Sequence, residues 1–180
     1  MEVKAHQVVA ARCFKSPHYD ERPLGAEISL LVVHCISLPR GVYGTPYIHD
    51  LFMGYLDCSA DDSFVDLRGV RVSAHGVIDR LGVFTQYVDF DKRAWHAGPS
   101  SYAGVERCND FSIGIELEGV DDGEYTQAQY HTLASLTKAL LTAYPKLTSE
   151  RIVGHSDIAP GRKTDPGMGF DWTYFRALLA

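Results

Sequence analysis

The 180-residue sequence lacks several features that characterise whole classes of protein. It has no run of lysine or arginine, and its net charge is −6, so nucleic acids and anionic membranes are not expected partners. No apolar stretch approaches the ~20 residues that a membrane-spanning helix needs. The first residues, Met-Glu-Val-Lys-Ala-His-Gln, contain no apolar core of a secretory signal peptide. The sequence therefore predicts a cytoplasmic protein that binds no membrane.

Close pairs of cysteines are also missing. The four cysteines, Cys13, Cys35, Cys58 and Cys108, are far apart in the sequence and form no CxxC motif. A zinc site built from cysteines is therefore not expected. In a reducing compartment these residues stay free thiols, and each is expected to pack as a small buried hydrophobe.

The rest of the composition is that of an ordinary globular domain. A chain of 180 residues, 46% hydrophobic and 22% charged, suits one domain with its own core. We expect a single domain over residues 1–180, in which residues 1–26 form an extended N-terminal arm. Neither an internal repeat nor a low-complexity segment divides the chain.

Five segments have the patterns of strands, of which residues 151–155 form a short one that leads to His155. Residues 28–36 are almost continuously apolar and β-branched, which is typical of a strand buried on both faces of a sheet. Residues 70–78 and 83–89 flank an Asp-Arg-Leu-Gly turn and predict a hairpin. Residues 111–118 alternate strictly between apolar and small or acidic side chains.

Helices are predicted between and after these strands, so the sequence indicates an α/β fold. Residues 126–143 have leucines at helical spacing, and Thr126 and Gln129 form a capping box at the start. Shorter helices are expected at residues 46–55, where proline suits the first turn, and at residues 171–179, where aspartate suits the N-cap.

The loop at residues 154–167 holds His155, Lys163 and Asp165 among two prolines and three glycines. Its prolines and glycines exclude a continuous helix or a central strand and indicate a stiff loop. The imidazole and the carboxylate could supply two metal ligands with a cation nearby. A surface loop with an aspartate turn and a solvated lysine would contain the same residues, so this segment alone leaves both interpretations open.

Three other side chains have both a functional and a structural interpretation, and a fourth, His18, has a structural one. His34 lies near the end of a predicted central strand, where α/β proteins bind ligands, although a hydrogen-bonded core histidine is the usual alternative. His75 could line a site or simply pack. Trp95, in a long loop at residues 91–110, could be a stacking wall for a ligand or a cap on the core. His18 is expected to be a surface or hydrogen-bonded loop histidine.

Two carboxylates share one face of the 111–118 strand. Glu116 and Glu118 alternate there with Ser112 and Gly114. This face is either a solvated edge or a surface whose small residues leave room for a ligand.

These candidates match a known type of chemistry. Two histidines and one carboxylate form a standard catalytic zinc set with a fourth position open for water, and His34, His155 and Asp165 could supply it. Water on zinc becomes a nucleophile near neutral pH, a carboxylate outside the ligand set can take its proton, and a lysine can stabilise an oxyanion. Glu116 and Lys163 are the candidates for the last two roles. Amide hydrolysis needs all these parts, although no ligand pair has the HExxH spacing of zincins.

Seven segments together form a specific pattern. They are Ser-Pro-His-Tyr-Asp at 16–20, Leu-Val-Val-His at 31–34, Ile-Ser-Leu-Pro at 36–39, Val-Ser-Ala-His at 72–75, Phe-Asp-Lys-Arg-Ala-Trp-His-Ala-Gly at 90–98, Asn-Asp-Phe-Ser-Ile-Gly-Ile-Glu-Leu-Glu-Gly at 109–119, and the 154–167 loop. With these motifs, nearly the whole chain closely resembles the zinc amidases that cleave N-acetylmuramyl-L-alanine bonds, of the cytoplasmic AmpD type.

The resemblance implies one Zn²⁺ per chain, bound by His34, His155 and Asp165, and catalytic roles for Glu116 and Lys163. It implies a single domain with a central mixed β-sheet and helices on both faces. The implied substrate is a small molecule, an anhydro-muropeptide made during cell-wall recycling, hydrolysed by a monomer. In organisms with an inducible β-lactamase, clearing this muropeptide would lower the inducing signal.

Substrate contacts are expected from side chains near these motifs. Arg71, Arg107 and Arg162 could pair with carboxylates of the muropeptide, and ordinary surface salt bridges are the alternative. Trp95 is the candidate for stacking.

Two positions depart from what the resemblance leads one to expect. Cys35 follows the first ligand, where the family usually has asparagine, and Gly76 after His75 is unusually small. Because neighbours on a strand alternate, we expect the Cys35 thiol to point to the opposite face of the sheet.

Two other functions would use much of the same sequence. A muropeptide-binding relative that has lost catalysis typically lacks the third metal ligand, and Asp165 is present here. A structural zinc site is usually closed by four protein ligands, whereas three are found here. The sequence therefore favours an enzyme.

Overall fold

The computed structural model describes all residues from 1 to 180. Its strands are β1 (Val3–Lys4), β2 (Gln7–Val8), β3 (Arg12–Cys13), β4 (Tyr19–Glu21), β5 (Leu30–Ile36), β6 (Gly76–Ile78), β7 (Phe84–Gln86), β8 (Lys92–Ala94), β9 (Ser101–Tyr102), β10 (Val105–Glu106), β11 (Ser112–Glu118) and β12 (Ile152–Gly154). Its α-helices are α1 (Tyr47–Met53), α2 (Gln127–Ala143), α3 (His155–Ile158) and α4 (Trp172–Leu179). Short 3₁₀ helices cover Asp62–Leu67, Cys108–Asp110 and Ser149–Arg151.

Six strands form the central sheet in the order β12-β5-β11-β6-β7-β3. The first four run parallel, β7 pairs antiparallel with β6, and β3 pairs parallel with β7. The expected mixed sheet is therefore confirmed. Because the first four strands are parallel, their carboxyl ends meet at one edge, which is where α/β folds place their ligands.

Helices cover both faces of this sheet, as expected. One face packs against α2 and α4 in a core cluster that includes Leu31, Val33, Ile113, Ile115, Leu117, Leu133, Leu136 and Phe175. The opposite face packs against α1 through Leu51 and Phe52 and against α3 through Ile158. The charged and histidine side chains discussed below lie on this second face, which thus carries a smaller apolar core.

Local sequence signals positioned the longest elements correctly. β5 covers most of the 28–36 run, and its first five residues are buried. At the start of α2 the Thr126 hydroxyl accepts the N–H of Gln129, whose amide oxygen accepts the N–H of Thr126. Asp171 caps α4 by accepting the N–H of Tyr174.

The interpretation of residues 111–118 as a solvated edge is wrong. β11 lies between β5 and β6, and all seven of its residues are buried. Its alternation separates two packed faces, one apolar and one that carries polar side chains.

In three segments the observed secondary structure differs from the predicted one. The N-terminal arm is not only extended, because β1 and β2 form a hairpin, β3 adds an edge strand, and β4 pairs with β8. The loop at residues 91–110 contains β8, β9 and β10. β6 begins at Gly76, because the carbonyl of His75 accepts from both Tyr87 and Val88 and interrupts the ladder.

All four cysteines are free thiols, as expected. Only Cys108 is buried; Cys13 is exposed, and Cys35 and Cys58 are partly exposed. The expectation that each packs as a buried hydrophobe is therefore wrong for three of them. None of the helices combines the length and the apolar character that crossing a membrane requires.

Candidate metal centre and active site

The carboxyl ends of β5 and β12 place two histidines side by side. His34 lies on β5, His155 follows β12 as the first residue of α3, and Asp165 comes from the loop after α3. Nδ1 of His34 lies 3.0 Å from Nδ1 of His155 and 3.0 Å from Oδ2 of Asp165. Nδ1 of His155 lies 3.1 Å from the same oxygen. The structure thus brings together the three residues that the sequence suggested as ligands, two of them 131 positions apart.

The hydrogen-bond partners of these atoms suit a site for a cation. Nε2 of His155 lies 3.0 Å from the carbonyl oxygen of Ala97, which can only accept, so Nε2 carries the proton of the neutral ring. Nδ1 of His155 is then unprotonated and lies 3.1 Å from a carboxylate oxygen of Asp165. Two such lone pairs repel each other unless a positive charge lies between them.

The donor set fits zinc. Tetrahedral ligands at about 2.0–2.1 Å from zinc are ~3.3 Å from one another, close to the separations in this cluster. Imidazole nitrogens and one carboxylate oxygen are typical zinc donors. His34 and His155 are almost fully buried, with 1% and 3% of their surface exposed, whereas Asp165 is partly exposed. The cluster is therefore buried on one side and accessible on the other.

The surroundings of His34 and Asp165 favour the protonation states that a metal ligand requires. Burial lowers the pKa of His34 to about 4. Burial alone would raise the pKa of Asp165, but its interactions with the adjacent rings of His155 and His34 outweigh that effect and lower the pKa below its usual value. At neutral pH His34 is uncharged and Asp165 is ionised.

Glu116 lies beside the cluster. It is directly opposite His34 in the parallel pairing of β11 with β5, so the two side chains share a face. Its Oε2 atom is buried and has no hydrogen-bond partner. Burial, followed by the negative charge of Asp165, raises the pKa of Glu116 well above its usual value, while the charge of Lys163 partly opposes the rise. A buried carboxylate with a free oxygen beside potential metal ligands suits a general base.

Lys163 lies on the exposed side of the 154–167 loop. Its positive charge acts on the pKa values of both Glu116 and His34, so the ammonium group lies in the neighbourhood of the cluster. An exposed cation at this edge could reach a ligand bound over the cluster.

Glu118, the second carboxylate on this face of β11, has partners for both oxygens. Oε1 accepts the backbone N–H of Gly44, and Oε2 accepts that of Arg80 at 3.2 Å. Glu118 therefore holds two loops in place, and Glu116 is the carboxylate of this pair that remains available.

The expected substrate residues occupy different surroundings. Arg107 is 70% exposed and forms an ion pair of 3.3 Å with Asp110. Arg71 is exposed and lines a cavity of about 160 Å³ together with His18. Trp95 is partly buried and stacks on the His18 ring at 6.0 Å, so it packs within the domain while its remaining surface is accessible.

Arg162 is tied to the backbone beside the cluster. Its guanidinium donates to the carbonyl oxygens of Ala97 at 2.6 Å and Pro99 at 2.7 Å. The Ala97 carbonyl also accepts from His155, so Arg162 supports the segment that orients this histidine.

His75 packs in the domain and is not part of the ligand cluster. It is fully buried; its Nδ1 accepts the N–H of Gly114, and its Nε2–H donates to the carbonyl of Lys92. Burial, and then the charge of Arg22, lowers the pKa of His75 to about 3. His18 is also buried and hydrogen-bonded to the carbonyl of Val72, in agreement with the structural interpretation.

Acid should destabilise the metal-free protein in part through His75. An unfolded histidine binds its proton near pH 6.5, whereas His75 in the folded protein does so only near pH 3. Between these values the unfolded state binds more protons, so stability falls as the pH falls, by about 1.4 kcal/mol per pH unit for this group. His75→Gln should lower stability at pH 7 but flatten its decrease between pH 6 and 4, measured by urea denaturation. An unchanged slope would contradict this origin of the acid sensitivity.

The two residues that depart from the family pattern, Cys35 and Gly76, lie away from the face that carries Glu116. Cys35 is opposite Leu117 in the pairing of β5 with β11 and packs against the apolar core under α2, as expected. Cys35 and Asp165 also line the same surface cavity. Gly76 accommodates the ring of Phe84, because a Cβ atom there would lie 2.2 Å from a ring carbon. The Cys35 side chain therefore does not line the face that carries Glu116.

One contact escaped the sequence interpretation. Small residues on β11 suggested room for a ligand, but the ring of His96 fills this room: a Cβ atom at Gly114 would lie 2.4 Å from it. Nδ1 of His96 lies 2.9 Å from Nε2 of His34. The glycine was a signal that something approaches β11 closely, yet it did not identify the approaching group.

Comparisons with known proteins identify the family of this chain. The family model described as N-acetylmuramoyl-L-alanine amidase matches residues 24–168. The chain is 57% identical over 173 residues to the 1,6-anhydro-N-acetylmuramyl-L-alanine amidase AmpD of Salmonella typhimurium, with 96% of this chain and 92% of the relative covered.

Two solved structures extend the comparison. The crystal structure of a selenomethionine derivative of AmpD superposes with a TM-score of 0.97 and 56% identity, covering 100% of both chains. AmiD of Escherichia coli, in complex with the substrate anhydro-N-acetylmuramic acid-L-Ala-D-γ-Glu-L-Lys, superposes with a TM-score of 0.61 and 29% identity, covering 88% of this chain and 60% of the other. These matches confirm the resemblance suggested by the motifs, and the chain belongs to the N-acetylmuramoyl-L-alanine amidase family and is an amidase.

Proposed function

We propose that this protein is a zinc-dependent amidase that cleaves the bond between anhydro-N-acetylmuramic acid and L-alanine of muropeptides during peptidoglycan recycling. The convergence of His34, His155 and Asp165 beside the unpartnered carboxylate of Glu116 carries the proposal. The names of its relatives, which include an anhydro-N-acetylmuramyl-L-alanine amidase, support the choice of bond. The substrate bound to AmiD supports a muropeptide ligand.

Zinc bound at the three ligands would lower the pKa of a coordinated water toward ~7 and polarise the scissile carbonyl. Glu116 takes the proton of the attacking water, since its Oε2 is buried beside the three ligands and has no hydrogen-bond partner. It then returns the proton to the nitrogen of the leaving L-alanine. Lys163 stabilises the negative charge that develops on the carbonyl oxygen.

The remaining parts of the proposal concern substrate and cell. The exposed Arg71 and Arg107 bind carboxylates of the muropeptide, the accessible surface of Trp95 stacks on it, and Arg162 positions the neighbouring backbone. The enzyme acts as a monomer in the cytoplasm. Where a β-lactamase is induced by such muropeptides, this hydrolysis lowers the inducing signal.

Mass spectrometry of a defined substrate tests the reaction. Incubation with an anhydro-muramyl tripeptide should yield the anhydro-sugar and the free tripeptide, a chelator should stop the reaction, and zinc should restore it. The same peptide on hydrated N-acetylmuramic acid is the matched comparison. Binding of the muropeptide without cleavage in the presence of zinc would identify a binding module instead.

Arg107 provides a test of substrate contact. A charged, two-pronged hydrogen bond to a stem-peptide carboxylate is worth about 1.5–3 kcal/mol. Arg107→Ala should therefore lower kcat/KM for a tripeptide substrate by about tenfold or more, and should have little effect on a substrate truncated to L-alanine. Lys138→Ala removes an exposed charge from α2, on the other face of the sheet, and should affect neither substrate. Equal losses on both substrates would assign Arg107 to the support of its loop.

A further inference from the structure

We propose that His96 is a positioning residue that fixes the protonation and orientation of His34 for metal binding. The inference rests on the zinc site proposed above. Nε2 of His34 lies 2.9 Å from Nδ1 of His96, and Nε2 of His96 lies 3.1 Å from Oγ of Ser112. The two rings are in an edge-to-face arrangement with centroids 5.0 Å apart.

Metal binding would select one arrangement of protons along the hydrogen bonds from His34 through His96 to Ser112. When Nδ1 of His34 binds a metal, the single proton of its neutral ring must be on Nε2. Nδ1 of His96 is the hydrogen-bond partner of that atom and must accept. His96 then carries its own proton on Nε2 and donates it to the hydroxyl of Ser112. In the opposite arrangement, a proton on Nδ1 of His34 would occupy the position of the metal.

The surroundings hold His96 where this role requires it. Its ring lies against Gly114, where a Cβ atom would come within 2.4 Å, and Ser112 on the same face of β11 supplies the final acceptor. The backbone N–H groups of His96 and Ala97 both donate to Oδ1 of Asn109. Backbone and ring are thus both fixed, which is what an outer partner of a metal ligand needs.

The two histidine ligands differ in their outer partners. His155 donates to the backbone carbonyl of Ala97, which no side-chain substitution removes. His34 instead depends on the side chain of His96. Substitution of His96, which contacts neither zinc nor substrate in the proposed site, therefore measures how much the hydrogen-bond partner of His34 contributes to metal binding.

A matched pair of variants separates hydrogen bonding from packing. In His96→Asn the amide oxygen takes the δ position of the accepting nitrogen, while His96→Leu has nearly the same shape with no acceptor. Losing an outer partner typically costs 10–100-fold in metal affinity. We expect His96→Leu to weaken zinc binding by about 10–100-fold, measured against a chromophoric chelator, and His96→Asn to stay within about threefold of the unchanged protein. The absorption spectrum of the cobalt-substituted protein should change for leucine and not for asparagine.

A second measurement needs no variant and therefore does not depend on whether the variants fold. Long-range ¹H–¹⁵N spectra of the zinc-loaded protein should show both His34 and His96 protonated on Nε2. A proton on Nδ1 of His96 would overturn the proposal, as would equal zinc affinities of the two variants. Absence of zinc binding by the unchanged protein would instead refute the proposed function, so the two failures are distinguishable.

Discussion

Asp165→Ala should reduce the zinc content of the purified protein from about one ion per chain to almost none, and His34→Ala should do the same. Each substitution removes one of three donor atoms that lie 3.0–3.1 Å from one another, and two remaining ligands hold zinc poorly. Hydrolysis should be lost together with the metal, because both the activated water and the polarised carbonyl depend on it. Metal analysis after dialysis and an activity assay at saturating zinc are the measurements.

Asp122→Ala is the control for this experiment. Asp122 is a carboxylate of the same type, 75% exposed and paired with Arg40, and its loss should leave zinc content unchanged. Full zinc occupancy in both ligand variants would show that the metal site has been assigned to the wrong residues.

Glu116→Gln should retain zinc and the fold while kcat falls by roughly 10²–10⁴-fold. The amide keeps the shape of the carboxylate but cannot take a proton from water. The metal-free variant should also be more stable than the unchanged protein at neutral pH. Burial raises the pKa of Glu116 in the folded state, so ionising this group costs stability as the pH rises from ~4.5 toward the folded pKa, and glutamine avoids that cost.

Glu118→Gln is the matched comparison on the same strand face. Glu118 accepts the N–H groups of Gly44 and Arg80, so an amide would leave one of them facing a donor. We expect a loss of about 1–3 kcal/mol of stability and a kcat within a few-fold of the unchanged enzyme. Consecutive residues on one strand face are roughly 6–7 Å apart, so a single attacking water has only one of the two within reach. A near-native kcat in Glu116→Gln would require another base.

Glu116→Gln is expected to lower kcat and to raise stability, because the arrangement that suits catalysis is unfavourable for folding. A buried oxygen without a partner and a carboxylate shielded from solvent are both unfavourable in a folded protein. Such features are retained where chemistry requires them. Melting curves and kinetics of the same variant therefore test two consequences of one arrangement.

Local features of the sequence were sufficient for several elements. The apolar run of β5, the capping box of Thr126 and Gln129, and the aspartate cap of α4 depend only on neighbouring residues and on the repeat of a strand or a helix. The motifs around His34, Glu116 and the 154–167 segment were also sufficient to identify the family, because several short stretches match its pattern together. The assignment of zinc ligands and catalytic residues remains a prediction from these motifs.

Tertiary structure decided which polar atoms meet. The alternation of β11 was equally compatible with a solvated edge, and only its position between β5 and β6 shows that both faces are packed. The space beside Gly114 was visible in the sequence, but its occupant, His96, comes from a segment that folds back across the sheet. The periodicity of a strand predicts which face a side chain is on. The group that contacts this side chain depends on the packing of segments that are far apart in the sequence. The sequence by itself therefore determined the family and the main elements, and the three-dimensional packing determined the contacts of His34 and the unpartnered oxygen of Glu116.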